Sequence, residues 1–428
     1  MIATTLVLLL TLIALAIPVA AALGVLGLSL DAIYSSLPLS RAMGEIAWSA
    51  SNEFLLVSVP MFILLGEILL RSGYAERMYG AMVKWLSWLP GGLMHSNIAA
   101  CGVFAATSGS SVATAATVGT VALPQARRFG YDERLFLGTL AAGGTLGILI
   151  PPSINMIIYA VLTDTSVPKL YLAGIVPGVV LMLLFMATIL GACIVRPAWG
   201  GQRIHTDWAG RIASLVHLLP PLGIFGVVVG SIYAGLATPT EAAALGVVAA
   251  LLLAIAAGRF SLAMLREALE GTMRSTSMVM LIILAAYFLN FVISSLGLTT
   301  ALTDAIAGLG LSKMEMLLAV IVFYVVLGCF METLSMMITT IPVIAPVMIQ
   351  LGFDPVWFGI MIVILIETAL ITPPVGLNLF VVQNLRRHGS MNDVIVGSIP
   401  FVLALFVMMA LLAAFPQLAL WLPGVFQG

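Results

Sequence analysis

Residues 102–124 read GVFAATSGSSVATAATVGTVALP. The run is apolar enough for a membrane interior, yet residues 107–111, TSGSS, place a knot of Gly, Ser and Thr at its middle. A second stretch, GCFMETLSMMITTIP at 328–342, repeats the pattern. Gly102, Phe104, Thr107 and Thr114 align with Gly328, Phe330, Thr333 and Thr340 at an offset of 226. Each stretch is followed by an apolar segment broken at a double proline. The first is TLGILIPPSINMIIYA, with Pro151 and Pro152; the second is TALITPPVGLNLFVVQ, with Pro373 and Pro374, at an offset of 222. An Asn follows each break, Asn155 and Asn378. Two matches in the same order at nearly the same offset predict an internal repeat.

Composition sets the solvent. The chain has 428 residues, 62% hydrophobic and 8% charged, with mean hydropathy +1.18. A soluble domain carries about 25% charged residues, so lipid must cover this surface. No basic stripe with interleaved aromatics points to nucleic acid. The three cysteines, Cys101, Cys193 and Cys329, fall inside apolar runs and read as small packers, not a disulfide framework. The N-terminal run lacks a positive leader and exceeds the ~7–15 residues of a signal-peptide core; it reads as a first span.

Spans of roughly 20 apolar residues are expected at 2–28, 53–70, 133–163, 170–195, 217–236, 239–257, 276–296, 355–383 and 398–422. Segments 93–126 and 312–348 are too long for one crossing and too polar at their centres. With the N-terminus in the cytoplasm, the loops holding Arg71, Arg77, Lys84, Arg127, Arg128, Arg134, Arg196, Arg203, Arg211, Arg259, Arg266, Arg274, Arg386 and Arg387 face inward. Only Arg41, Lys169 and Lys313 then face out, as the positive-inside rule requires. That holds only if 93–126 and 312–348 enter and leave on one face each. The chain is therefore expected to be an all-α polytopic membrane protein, an inverted repeat with two re-entrant helical hairpins and two Pro-Pro-broken helices. Such repeats mark secondary transporters with midplane sites.

The breaks have a physical purpose. Adjacent prolines remove two donors and free the carbonyls of the preceding turn. Lipid cannot satisfy those carbonyls, so protein or a wet cavity must. With Ser and Thr hydroxyls they make an all-oxygen nest for a hard cation. The half-helix beyond each break aims a positive dipole end at the same place, which suits a carboxylate. Intramembrane acids are costly and functional by default; Glu332 and Glu367 qualify. Glu67 and Glu53 read as structural, and Pro239 with Glu241 in TPTEAAALG as helix-start chemistry. None of the four His residues has a second ligand at metal spacing. The amphipathic stretches 74–89 and 299–309 read as interfacial arms.

The chain resembles the large membrane subunit of tripartite ATP-independent periplasmic (TRAP) transporters. FAATSGSSVATAATVGTVALPQARRFGY, GILIPPS, GLATPTEAAALG and ITPPVGLNLFV carry the resemblance, which covers essentially the whole length. It implies sodium-coupled uptake of an organic acid by an elevator mechanism across the bacterial inner membrane. It also implies delivery by a periplasmic binding protein and a separate, small four-helix membrane subunit. The expected organisation is scaffold helices at 1–70, an arm at 71–92 and a first transport half at 93–163 (hairpin 93–128, broken helix 133–163). Scaffold helices follow at 164–270, a scaffold helix and arm at 271–311, a second transport half at 312–385 (hairpin 312–348, broken helix 355–383) and a scaffold helix at 386–428.

The resemblance puts the first sodium (Na+) site on Ser108 and Ser110 with carbonyls of Gly147, Ile150 and Pro152. Repeat symmetry puts the second near Gly328, Thr333, Ala369, Thr372 and Pro374. The substrate carboxylate is expected near Ser110, Ser111 and Asn155, with Glu332 and Asn378 alongside. Sodium is the transported coupling ion, and no organic cofactor is expected. The acid itself stays open among C4-dicarboxylates, sialic acid, other sugar acids and keto acids. A self-sufficient sodium/carboxylate symporter or exchanger is the alternative, and a channel would lack strict coupling. An intramembrane enzyme is disfavoured, because TSGSS does not fit G-x-S-x-G and there is no HExxH.

Overall fold

The computed structural model describes residues 1–428 except 16, 203, 205, 299–300, 302–311, 329–330, 374–375, 387 and 427–428. Every regular element among the described residues is helical. Among the described residues six helices are long and apolar enough to cross a membrane, and up to eight if each bent pair is one span. Helices are numbered below in chain order.

The segment at 93–126 folds as two helices, α6 (Gly92–Ser108) and α7 (Ser111–Arg128). They separate where Gly109 takes a left-handed φ of 60°, the usual helix terminator. The far ends meet again, since the Leu93 amide donates to Tyr131 Oη at 3.1 Å. The pair is therefore a hairpin. The segment at 312–348 repeats the design with α15 (Lys313–Leu327) and α16 (Thr333–Gln350). Here Lys313 Nζ donates to the Gly352 carbonyl at 2.6 Å and lies over the Phe353 ring.

The broken helices follow. α8 (Glu133–Leu149) and α9 (Ile154–Thr163) meet at 43° across the double proline, whose peptide is cis. Asp132 caps α8 and Ser153 caps α9. α17 (Pro355–Leu370) and α18 (Leu377–Arg386) flank the second break. The two halves pack in the same way. α6 and α7 lie on α8, and α15 and α16 lie on α17. Each second hairpin arm then crosses to the other repeat, α7 onto α18 and α16 onto α9. α16 is the most enclosed span candidate, with 56% of its apolar stretch buried against 28% for α10 (Val167–Val195).

Around this lie α2 (Val19–Tyr34), α3 (Met43–Ser51), α4 (Ser58–Arg71), α12 (Leu219–Tyr233), α13 (Pro239–Ala256) and α14 (Leu262–Ser295). α14 packs on α2, α3 and α4; α13 packs on α4 and α12. The expected helix start at TPTE is a full capping box between Thr238 and Glu241. The arm expected at 74–89 is α5 (Tyr74–Leu86), seated on both arms of the first hairpin. Its Trp85 Nε1 donates to the Arg211 carbonyl at 3.2 Å. The arm expected at 299–309 lies almost wholly outside the described residues.

Two expected spans are corrected. Residues 2–28 are not one helix. α1 (Ile2–Ala14) ends before Pro18, and α2 returns antiparallel, so Thr4 Oγ1 and Tyr34 Oη are 2.6 Å apart. One span ending at 28 would put those residues at opposite faces; the cytoplasmic N-terminus rested on that single span. Residues 398–422 are likewise two elements, α19 (Met391–Ala414) and α20 (Gln417–Phe426), divided at Pro416. In both places hydropathy runs on smoothly while proline ends the hydrogen-bond ladder.

Contacts between loops fall into two sets, one at each end of the bundle. Arg71–Glu267, Trp85–Arg211, Asp132–Trp199 and Glu133–Arg386 define one end. Phe54–Thr240, Pro168–Tyr233, Tyr159–Pro355 and Lys313–Gly352 define the other. The feet of the first hairpin belong to the first set and those of the second hairpin to the other.

The first set contains an ionic cluster joining both repeats. Arg386, at the end of α18 and 8% exposed, donates from Nε to Glu133 at 2.8 Å and from both terminal nitrogens to Asp393 at 3.1 Å. Arg134 donates to the other Asp393 oxygen at 2.9 Å. Arg386→Ala leaves two carboxylates short of a donor, a loss of roughly 1.5–3 kcal/mol. A thermal melt in detergent should show a clearly lower Tm, partly restored in Arg386→Lys; an unchanged Tm would mean that the cluster does not hold the helices together.

Candidate functional site

The first hairpin tip is seated against the first break. A Cβ at Gly147 would lie 2.6 Å from the Ser110 carbonyl oxygen, and one at Gly109 would lie 3.0 Å from the Pro152 carbonyl oxygen. Only backbone without a side chain allows that approach. Ser110 caps α7, its Oγ accepting the Ala113 amide at 3.4 Å. Its carbonyl accepts Thr114 Oγ1 at 2.8 Å, and Thr114 Oγ1 lies 2.9 Å from Ser108 Oγ. Ser108, Ser110, Gly147 and Pro152 thus converge, and Ile150 opens the break beside them. Prolines at 151 and 152 leave the carbonyls of Gly147 and Ile148 without their helical donors. Thr114, one turn beyond Ser110, was not among the expected residues; its alignment with Thr340 in the repeat was the available signal.

The second set converges in part. A Cβ at Gly328 would lie 2.1 Å from Ala369 Cβ, so the end of α15 rests on α17. Thr333 begins α16 and donates to Glu332 at 3.0 Å. Thr372 donates back to the Thr368 carbonyl at 2.7 Å, and Pro374 lies outside the described residues. Glu332 caps α16. Its carboxylate accepts the Leu334 and Ser335 amides and the Ser335 hydroxyl, each at 3.1 Å.

The residues expected around a carboxylate are Ser110, Ser111, Asn155 and Asn378, with Glu332. Asn155, in the first turn of α9, is 2% exposed, and its Nδ2 has no partner. Ser111 donates to Glu367 Oε1 at 2.6 Å. This bond links the first hairpin to the second broken helix across 256 residues. Glu367 was recognised as an intramembrane acid, but no sequence signal paired it with Ser111. Asn378 donates from Nδ2 to the Ala141 carbonyl at 3.2 Å. Among the described residues no group of three His, Cys, Asp or Glu could hold a metal; the oxygens here are backbone, hydroxyl, amide and a lone carboxyl.

Two hairpins, each seated against or beside a broken helix inside an all-helical bundle, define a secondary-transporter fold. The family model described as the DctM component of the tripartite ATP-independent periplasmic transporter matches residues 6–418, and the chain belongs to this family. The C4-dicarboxylate TRAP transporter large permease protein DctM of Pseudomonas aeruginosa is 34% identical over 90% of each chain. The sialic acid large permease SiaM of Vibrio cholerae is 30% identical over 88% of each, and the ectoine large permease TeaC of Halomonas elongata 32% over 86% of each. The isethionate permease DctMQ of Oleidesulfovibrio alaskensis is 30% identical over 94% of this chain and 63% of its own length. In fold, the chain is like the crystal structure of the Alcanivorax borkumensis YdaH transporter, with TM-score 0.66 at 16% identity over 94% of this chain and 97% of that one.

Gly147→Val drives a side chain into the Ser110 backbone. Uptake should fall to background while helix content measured by circular dichroism stays at the parental value. Parental uptake would mean the tip is not seated there during transport.

Proposed function

We propose that the chain is the permease subunit of a sodium-coupled, binding-protein-dependent importer of an organic acid in the bacterial inner membrane. The observation that carries this reading is the seating of the Ser108–Gly109–Ser110 tip on the Pro-Pro break, which gathers hydroxyl and freed carbonyl oxygens in one place. Those oxygens suit a hard monovalent cation. Asn155, with its unpartnered donor at the start of a half-helix, suits an acid group. The relatives are named for C4-dicarboxylate, sialic acid, ectoine and isethionate; each carries a carboxylate or sulfonate.

The end of the bundle rich in arginine is cytoplasmic. The hairpins then dip into the membrane from opposite faces, and the N-terminus, beside Tyr34, lies on the periplasmic side with the C-terminus. An elevator motion carries the hairpins with α8, α9, α17 and α18 past a frame built on α2, α4, α13 and α14. We place α10 and α19 in the moving body as well, because both pack along α8 and α17. The small membrane subunit is a separate chain that meets the frame; the DctMQ relative has length beyond this chain for such a component.

Reconstitution tests the reading. Uptake into proteoliposomes should require an inward sodium gradient and a periplasmic binding protein. Ser108→Ala and Ser110→Ala should each raise the sodium concentration for half-maximal uptake roughly tenfold, a loss of about 1.4 kcal/mol. Unchanged sodium activation in both would remove this nest, and full uptake without a binding protein would favour a self-sufficient symporter.

A further inference from the structure

At the arginine-rich end, α7, α8 and α18 leave a cavity of about 630 Å³ between them. α7 and α8 belong to the first repeat and α18 to the second. Towards the membrane interior its walls are apolar, formed by Leu123, Phe136, Leu137 and Leu385. The inner end is closed where α7 meets α18: a Cβ at Gly119 would lie 2.8 Å from Leu385 Cδ1. Arg127 stands about two turns further along α7, roughly 12 Å from Gly119, and forms the rim with His388.

The rim carries one uncommitted charge. Glu133 and Arg386 also line it, but they are bonded to each other, and Arg386 is used further on Asp393. Arg128 lies over the Phe129 ring, and Arg134 donates to Asp393. Arg127 differs from these. It is exposed and donates to His388 Nδ1 at 2.9 Å. Among the described residues no carboxylate pairs with it. A guanidinium without a counter-ion thus stands over an apolar recess, at the end of the bundle where lipid headgroups lie.

The two chemistries select the occupant. A free inorganic anion would meet the rim and leave the apolar walls empty. A hydrocarbon chain alone would fill the recess and leave Arg127 without an anion. A molecule with a phosphate at one end and a chain at the other satisfies both. Basic recesses between helices at the cytoplasmic surface suit anionic headgroups, and a guanidinium can grip a phosphate with two parallel bonds.

We propose that this cavity holds an anionic phospholipid, with its phosphate on Arg127 and one acyl chain along Leu123, Leu137 and Leu385. Because the walls come from both repeats, the bound lipid fastens the foot of the first hairpin to the end of the second broken helix. On the elevator reading, occupancy favours the position of the moving body in which this end is level with the headgroups. Binding itself needs neither the coupling ion nor the acid.

The test is thermal stabilisation of the full-length permease, purified with its small membrane partner in a neutral detergent. It is titrated with phosphatidylglycerol, phosphatidylcholine or inorganic phosphate at constant ionic strength. Phosphatidylglycerol should raise the parental Tm, and the other two should leave it unchanged. Arg127→Gln removes an exposed charge and should keep the parental Tm without lipid. It should need roughly tenfold more phosphatidylglycerol for half of the rise. Thr120→Trp fills the recess from an exposed position on α7 and should abolish the rise with Arg127 in place. It gives the second reading if Arg127→Gln lowers the baseline. A parental phosphatidylglycerol response in both variants overturns the site. Equal stabilisation of the parent by phosphatidylcholine overturns recognition of the anionic headgroup. An Arg127-dependent rise with inorganic phosphate alone overturns the lipid in favour of a free anion.

Discussion

A backbone group that leaves its helix inside a membrane must find a partner in the protein. That constraint organises this fold. The double prolines after Ile150 and Thr372 strip donors from the turns before them. Open carbonyls at that depth cannot face lipid. The first break is answered by a hairpin tip whose glycine and serines approach to van der Waals contact, Gly109 against Pro152 and Ser110 against Gly147. What would be a defect in a soluble helix becomes a cluster of backbone and hydroxyl oxygens.

The halves are interlocked, not merely adjacent. α7 reaches α18 and α16 reaches α9, so neither hairpin packs only within its own repeat. At one end the Glu133, Arg386 and Asp393 cluster ties the beginning of α8 to the end of α18 and the beginning of α19. Deep inside, the Ser111–Glu367 bond makes a second tie. The hairpins and broken helices are thus tied together at both levels. The frame helices pack on one another through α14 and α4 and also meet the hairpins directly, α4 and α12 on α6 and α14 on α16, with α5 seated on both arms of the first hairpin.

Much of this was legible in the sequence because its signals are local. Double prolines, a Gly-Ser tip and a Thr-Pro-Thr-Glu start each act within one turn, and each was found where expected. The repeat made the double proline legible twice. Less legible was anything set by distance in the chain. Ser111 and Glu367 are recognisable singly, but no spacing rule joins them. The reversal at Pro18 and the stop at Pro416 were masked by apolar residues continuing on both sides; hydropathy measures solvent preference, not helix continuity.

The central claim is that each hairpin returns to the face it left, one at each end of the bundle. Single cysteines placed at the feet, at Leu89 and Phe129 for the first hairpin and at Ser312 and Phe353 for the second, can be labelled with a membrane-impermeant maleimide in right-side-out and inverted vesicles. The account predicts that positions 89 and 129 label only from the cytoplasmic side, and 312 and 353 only from the periplasmic side. If the two feet of either hairpin label from opposite sides, that segment crosses the membrane and the account is wrong.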